Sequence, residues 1–362
     1  KNLLGGEGFY TYWMGSRLLI MDKLSPYSKR AVEIMRDKAN LYVFIDNSDN
    51  LIFSLPIFCT IFYAPFALIS NFEIARALWM TSLISILLGT IFLILKIQRW
   101  LPQIKTTICI YSCSIFNIFT VISIMDGNLT IIALLFVIAA YWFLLNHQLE
   151  LAGIMLAFSI IVPQAVSIPI IFIFFLACIY KKWRIYYWFF ITLGLLILLS
   201  LLLAPKWPLE YLKVILLNRD MISILNSLNT IKVWFRDINQ WFSYIFIVIP
   251  LLILIFEWRI ISKHKKSPLQ FWGLCLTLLL GQVIWIRNNA RNLVCLLPVI
   301  LLIASSWMNR ITSSGKIISF FTLLIFPAHF LMVLANNKSL LVSAEQIEFS
   351  SYFLPIIYLF LN

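Results

Sequence analysis

Apolar runs long enough to cross a membrane alternate with short polar breaks along most of the chain. The clearest helix candidates are 76–95, 107–124 and 128–145, with others at 186–204, 243–256, 270–286, 292–307 and 317–335. Two further apolar runs are interrupted. Residues 51–70 hold Pro56 and Pro65, and residues 151–180 hold Pro163 followed by Gln164. Proline removes a backbone donor and pushes the preceding residue out of the helical region. The long connection 205–242 carries Trp207, Trp234 and Trp241, which suit a membrane–water interface. The start of the chain is different in kind. Residues 5–27 read GGEGFYTYWMGSRLLIMDKLSPY and bring an acid, bases and aromatics together. Phe9, Trp13, Ile20 and Leu24 fall near helical spacing and are expected to share one buried face, with Arg17 among them. Ser25-Pro26-Tyr27 is the expected stop, and residues 28–50 read as a solvated loop with a short helix.

Composition turns these runs into a fold class. The 362 residues are 62% hydrophobic and 12% charged, which excludes an ordinary soluble domain. The expectation is an all-α polytopic membrane protein with about eleven membrane helices, a first loop on the outer face and interfacial helices. The net charge of +13 fits basic loops facing the cytoplasm better than nucleic-acid binding. Six cysteines lie in or beside apolar runs and read as packing residues. Cys109 and Cys113 are one helical turn apart without a nearby His or carboxylate, and His147, His264 and His329 are scattered. Neither a metal nor a cofactor is expected. No cleavable signal peptide is seen at Lys1, and the chain ends in the apolar run 352–361. A membrane helix is therefore expected ahead of the first residue, and more chain after the last.

Two topologies compete. In one, 51–70 spans the bilayer and 151–180 is a single long helix. In the other, 51–70 is a bent segment on one face and 151–180 is a pair of short helices. The second gathers Lys96, Arg99, Lys105, Lys181, Lys182, Arg184 and the other basic loop residues on one side, and the prolines favour it too. It divides the chain into an outer-face segment 1–75, a membrane module 76–204, an outer-face connection 205–242 and C-terminal membrane helices 243–362. It also brings 1–70, Asp126 to Asn128, Pro163-Gln164, 205–242 and Arg287 to Arg291 to one rim. Arg287 and Arg291 then break the positive-inside pattern, as functional groups do and as interfacial snorkelling residues also do.

Several segments resemble a known family. The glycine pair, acid, FxxYWxGxR helix and SPY stop resemble the first outer loop of GT-C membrane glycosyltransferases, nearest to glycosyltransferase family 87, the polyprenol-phosphate-mannose-dependent mannosyltransferase-like proteins. APFALISNFEIARALWM (Ala64 to Met80), MDGNLTIIALL (Met125 to Leu135) and LAGIMLAFSIIVPQAVSIPIIF (Leu151 to Phe172) resemble, in order, further segments of that family. Three departures stand out. Gly8 occupies the position of the family's aspartate, with Glu7 just before it. Val162 replaces a lysine, and Leu55 an aromatic residue.

The resemblance implies inverting transfer of a mannose-like sugar from a polyprenyl phosphate to a lipid or glycan acceptor on the outer face of a plasma membrane, of bacterial type. Glu7 is then the expected catalytic base, the alternative being a capping acid at a helix N-terminus. Arg17, Arg287 and Arg291 are expected to bind the carrier phosphate, a task that suits the guanidinium fork. Asn128 and Gln164 are expected to hydrogen-bond sugar hydroxyls, or else to cap a helix and to satisfy broken backbone. Membrane lipids are expected partners. The three departures support a second reading, a non-catalytic subunit of a larger membrane complex. A transporter ranks last, because no internal repeat is found.

Overall fold

The computed structural model describes residues 6–42, 51–217, 240–264, 267–284 and 290–308. Among them the regular structure is helical, with no strand. In chain order the helices are α1 (Glu7–Met21), α2 (Lys29–Tyr42), α3 (Thr60–Ala67), α4 (Phe72–Gln98), α5 (Ile104–Ile115), α6 (Ile118–Asp126) and α7 (Thr130–Leu145). They continue with α8 (Leu149–Ser159), α9 (Pro163–Ile179), α10 (Arg184–Leu203), α11 (Trp207–Leu217), α12 (Gln240–Lys263), α13 (Ser267–Ile284) and α14 (Leu297–Met308). Short 3-10 turns precede α3 at Ile57–Cys59 and α14 at Ala290–Leu296. The helix expected at 317–335, residues 218–239 of the long connection, and Arg287 lie outside the described residues.

By length and composition, α4 and α10 can each cross a membrane, and the bent pair α5 and α6 adds a third span if counted as one. The run 107–124, expected as one helix, is two, bent by 53°. Asn117 explains the break. Its side-chain Oδ1 accepts the Phe119 N–H at 2.9 Å and its carbonyl accepts the Val121 N–H, so it starts a new helix. Residues 151–180 likewise form two helices, α8 and α9, separated at Ile160–Val162 with Pro163 opening α9.

The chain folds as two compact units. The first draws on Lys1–Ser85, Ile124–Leu129 and Phe190–Ser223. Its centre is α1, which buries a broader face than the spacing suggests: Phe9, Tyr10, Trp13, Met14, Leu18 and Leu19 are each at most 5% exposed. Ile20 does not join them, at 37% exposed. The helix also stops earlier than Pro26. Lys23 takes a left-handed φ of 50°, and the Leu24 N–H turns back to the Leu18 carbonyl at 3.0 Å, closing the last turn. Tyr27 instead folds in and donates its hydroxyl to the Leu55 carbonyl, and burial pushes that phenol's pKa up, so it stays a donor.

Helix α2 lays Ala31, Met35 and Ala39, all fully buried, along one stripe against α1. The Tyr10 hydroxyl donates to the Met35 carbonyl at 2.8 Å. Tyr10→Phe is expected to cost about 1 kcal/mol, measured as a lower thermal midpoint in detergent. Helix α3 is tied to α1 by its C-terminal carbonyls: Trp13 Nε1 donates to Phe66 O at 3.0 Å and Arg17 Nη1 to Ala67 O at 2.9 Å. Trp207 of α11 packs with Leu19, Ile57 and Ala204, while Leu209, Leu212 and Leu216 remain exposed.

The second unit draws on Ile86–Ser123, Thr130–Phe189 and Ile224–Asn362. In it α7 packs along α8, and α13 packs between α9 and α12. Gly153 on α8 allows close approach of the α10 backbone, since a Cβ there would lie 2.5 Å from the Ile185 carbonyl oxygen. The Lys182 ammonium donates to the last-turn carbonyl of Leu144 at 3.2 Å, a favourable place for a cation.

Candidate functional site at the N-terminus of α1

Three segments of the first unit meet where α1 begins. Gly6 caps the helix in a left-handed conformation, φ 96°, and its carbonyl accepts the Tyr10 N–H at 2.8 Å. The Gly8 N–H, one of the helix-start donors without an intrahelical acceptor, points at Asp126, with Oδ1 at 3.3 Å. Asp126 is the last residue of α6, half-buried, at the turn that leads to α7. A negative charge at a helix N-terminus is favoured by the helix dipole. The approach is close enough to dictate the sequence. A Cβ on Gly8 would lie 2.5 Å from Asp126 Oδ2 and 2.9 Å from its carbonyl oxygen.

Arg76 supplies the opposite charge. It lies in the first turns of α4, only 5% exposed, and its Nη2 donates to the Met125 carbonyl at 3.1 Å. Its guanidinium interacts electrostatically with Asp126. A Cβ on Gly6 would lie 2.8 Å from Arg76 Cζ, so the glycine both admits the guanidinium and adopts the positive φ.

Aromatic side chains lock this arrangement. Gly127, at φ 73°, offers its carbonyl to Trp79 Nε1 at 3.0 Å and to the Tyr63 hydroxyl at 3.1 Å. Phe9 stacks on Trp79 with centroids 5.9 Å apart, and Tyr63 lies 4.6 Å from Trp79. The turn that carries Asp126 is therefore held by two directional hydrogen bonds and a packed ring cluster. The chemistry at hand is a partly exposed carboxylate with a buried charge of opposite sign nearby, held against a helix N-terminus.

Of the residues singled out in the sequence, Glu7 is the first residue of α1, directly before Gly8. Asn128 follows Gly127 and is half-buried. Arg17 is half-buried; it bonds to Ala67 O, and its guanidinium lies 5.9 Å from the Trp13 ring centroid. Gln164 belongs to the second unit, exposed at the start of α9. Arg291 also belongs to it, in the 3-10 turn whose next residue, Asn292, accepts a hydrogen bond from the Thr130 hydroxyl at 2.9 Å. Among the described residues no cluster of His, Cys, Asp and Glu could hold a metal ion.

Sequence reasoning placed Asp126 at the shared rim without giving it a role, and passed over Arg76. A signal was there: Asp126 is the only carboxylate between Glu73 and Glu150, and Arg76 is the only arginine between Arg36 and Arg99. Both sit inside the segments that carry the family resemblance.

The comparisons agree with that resemblance. The model of glycosyltransferase family 87 matches residues 53–305, a span that includes Arg76 and Asp126 and begins after Glu7 and Arg17. None of the curated proteins matches the chain, and none of the solved structures does. Since the matched span takes in well over half of the 362 residues, the chain belongs to glycosyltransferase family 87 and is by family a membrane glycosyltransferase.

Proposed function

We propose that the protein transfers a sugar, mannose-like, from a polyprenyl phosphate to a lipid or glycan hydroxyl at the outer face of the membrane, with inversion at the anomeric carbon. The observation that carries this reading is the carboxylate held at the N-terminus of α1 inside the family-matched span. Inverting transfer needs a base within hydrogen-bond reach of the acceptor hydroxyl. Two acids stand at this helix start, Glu7 on α1 itself and Asp126 across from it. The departing group is a lipid-borne phosphate, for which arginine is the fitting donor. Arg76 is too buried to meet it and balances Asp126 instead. Arg17 is better placed by exposure, though one of its Nη atoms is engaged with Ala67 O. The exposed leucines of α11 suit the membrane boundary where a prenyl carrier lies.

The test is transfer of radiolabel from a polyprenyl-phosphate sugar to a lipid acceptor by the full chain in proteoliposomes. Acceptor labelling that depends on the polyprenyl carrier is expected. Labelling only from a nucleotide sugar would overturn the donor class. No labelling from any donor would favour the scaffold reading, to which the departures at Gly8, Val162 and Leu55 point.

A further inference from the structure

We propose that Asp126, and not Glu7, is the base of the transfer, delivered to the N-terminus of α1 from the α6–α7 turn. The inference rests on the reading of function given above. Residue 8 is glycine, and the space into which its side chain would grow is filled by the Asp126 carboxylate, with Oδ2 2.5 Å from where a Cβ would start. The carboxylate therefore stands where an acid carried by residue 8 would begin. It is oriented by the Gly8 N–H at 3.3 Å and balanced by the Arg76 charge. Its backbone is fixed by Trp79 and Tyr63 on the Gly127 carbonyl. It also keeps part of its surface exposed, as a group that must meet a substrate has to. Such preorganisation is what a general base needs, and a surface acid without it gives little.

The acceptor hydroxyl gives its proton to an Asp126 carboxylate oxygen as its own oxygen bonds to the anomeric carbon. The bond from that carbon to the phosphate oxygen breaks, and its electron pair leaves with the phosphate, freeing the polyprenyl phosphate. Asp126 then returns the proton to water. The competing role for Asp126 is structural, a cap on the first turn of α1.

Asp126→Asn separates the two roles. Asparagine keeps an Oδ1 acceptor for the Gly8 N–H but takes no proton. In the proteoliposome assay the expected result is transfer slowed ~10²–10⁴-fold, with the thermal midpoint in detergent close to wild type. Glu7→Gln is expected to slow transfer by clearly less than Asp126→Asn does, short of the loss that removing a general base causes. A swap covers failure of the single variant to fold. The double variant Gly8→Asp/Asp126→Gly returns a carboxylate to the same space from α1 once the carbonyl of residue 126, 2.9 Å from the new Cβ, gives way, and where folded it is expected to exceed Asp126→Gly roughly tenfold or more in transfer. Wild-type transfer that survives Asp126→Asn, or a folded swap no better than Asp126→Gly, overturns this inference alone. A wild type without transfer overturns it together with the function it rests on.

Discussion

Gly153→Val is expected to leave little folded protein. Gly153 faces backbone on the opposite helix: a Cβ would lie 2.5 Å from the Ile185 carbonyl oxygen, 2.9 Å from Trp188 Cβ and 3.0 Å from the Phe189 nitrogen. No flexible side-chain end is available to move aside. Relief needs α8 and the first turns of α10 to separate where they touch. Overpacking of a tight site costs about 1–3 kcal/mol even where side chains can shift, so about 3 kcal/mol is a floor here. That is a large share of a typical stability of ~5–15 kcal/mol. The monodisperse fraction on size exclusion in detergent, with the thermal midpoint of whatever survives, checks it. Gly194→Val is the control, since a Cβ there meets nothing within 4 Å.

The second large effect is expected at Arg76. Arg76→Met keeps the bulk and removes both the charge beside Asp126 and the donor to Met125 O. Loss of that donor, with the Met125 carbonyl left without it, is expected to cost about 1–3 kcal/mol. Transfer is expected to fall further than stability implies, by roughly 10²-fold, because a small displacement of the turn takes the carboxylate off its line of attack. Arg76→Lys restores the charge without the fork and is expected to recover part of the rate. Parallel measurement of thermal midpoint and transfer rate separates the two losses. Equal loss from Lys and Met would show that the charge itself contributes little.

How far the sequence carried differs from element to element. Helices α4, α7 and α10 were legible because a long apolar run has few alternatives to a helix. The break between α5 and α6 was not, because Asn117 is a single polar residue in a run of apolar ones, and its capping bonds appear only once the chain has turned. The buried face of α1 was drawn too narrow. Its end was placed at Pro26 by a general rule, whereas Lys23 takes a left-handed conformation that its residue type does not announce. At the site, the sequence pointed to the start of α1 and to the acid lying in it. It gave no role to Asp126, placed only at the shared rim, or to Arg76, because their significance is a matter of long-range contact: Asp126 matters because Gly8, 118 residues away, lacks a side chain. Glycines at 6, 8 and 127 were the legible trace, since each makes room for one partner in this cluster.

In the proposed reaction the sugar leaves a polyprenyl phosphate with inversion at its anomeric carbon. The most direct test follows both products of wild-type turnover in proteoliposomes, with label on the sugar and on the carrier. The predicted result is equal amounts of freed polyprenyl phosphate and glycosylated acceptor, the new glycosidic bond having the configuration opposite to the donor's. Release of carrier without glycoside, or a product that retains the donor's configuration, would contradict it.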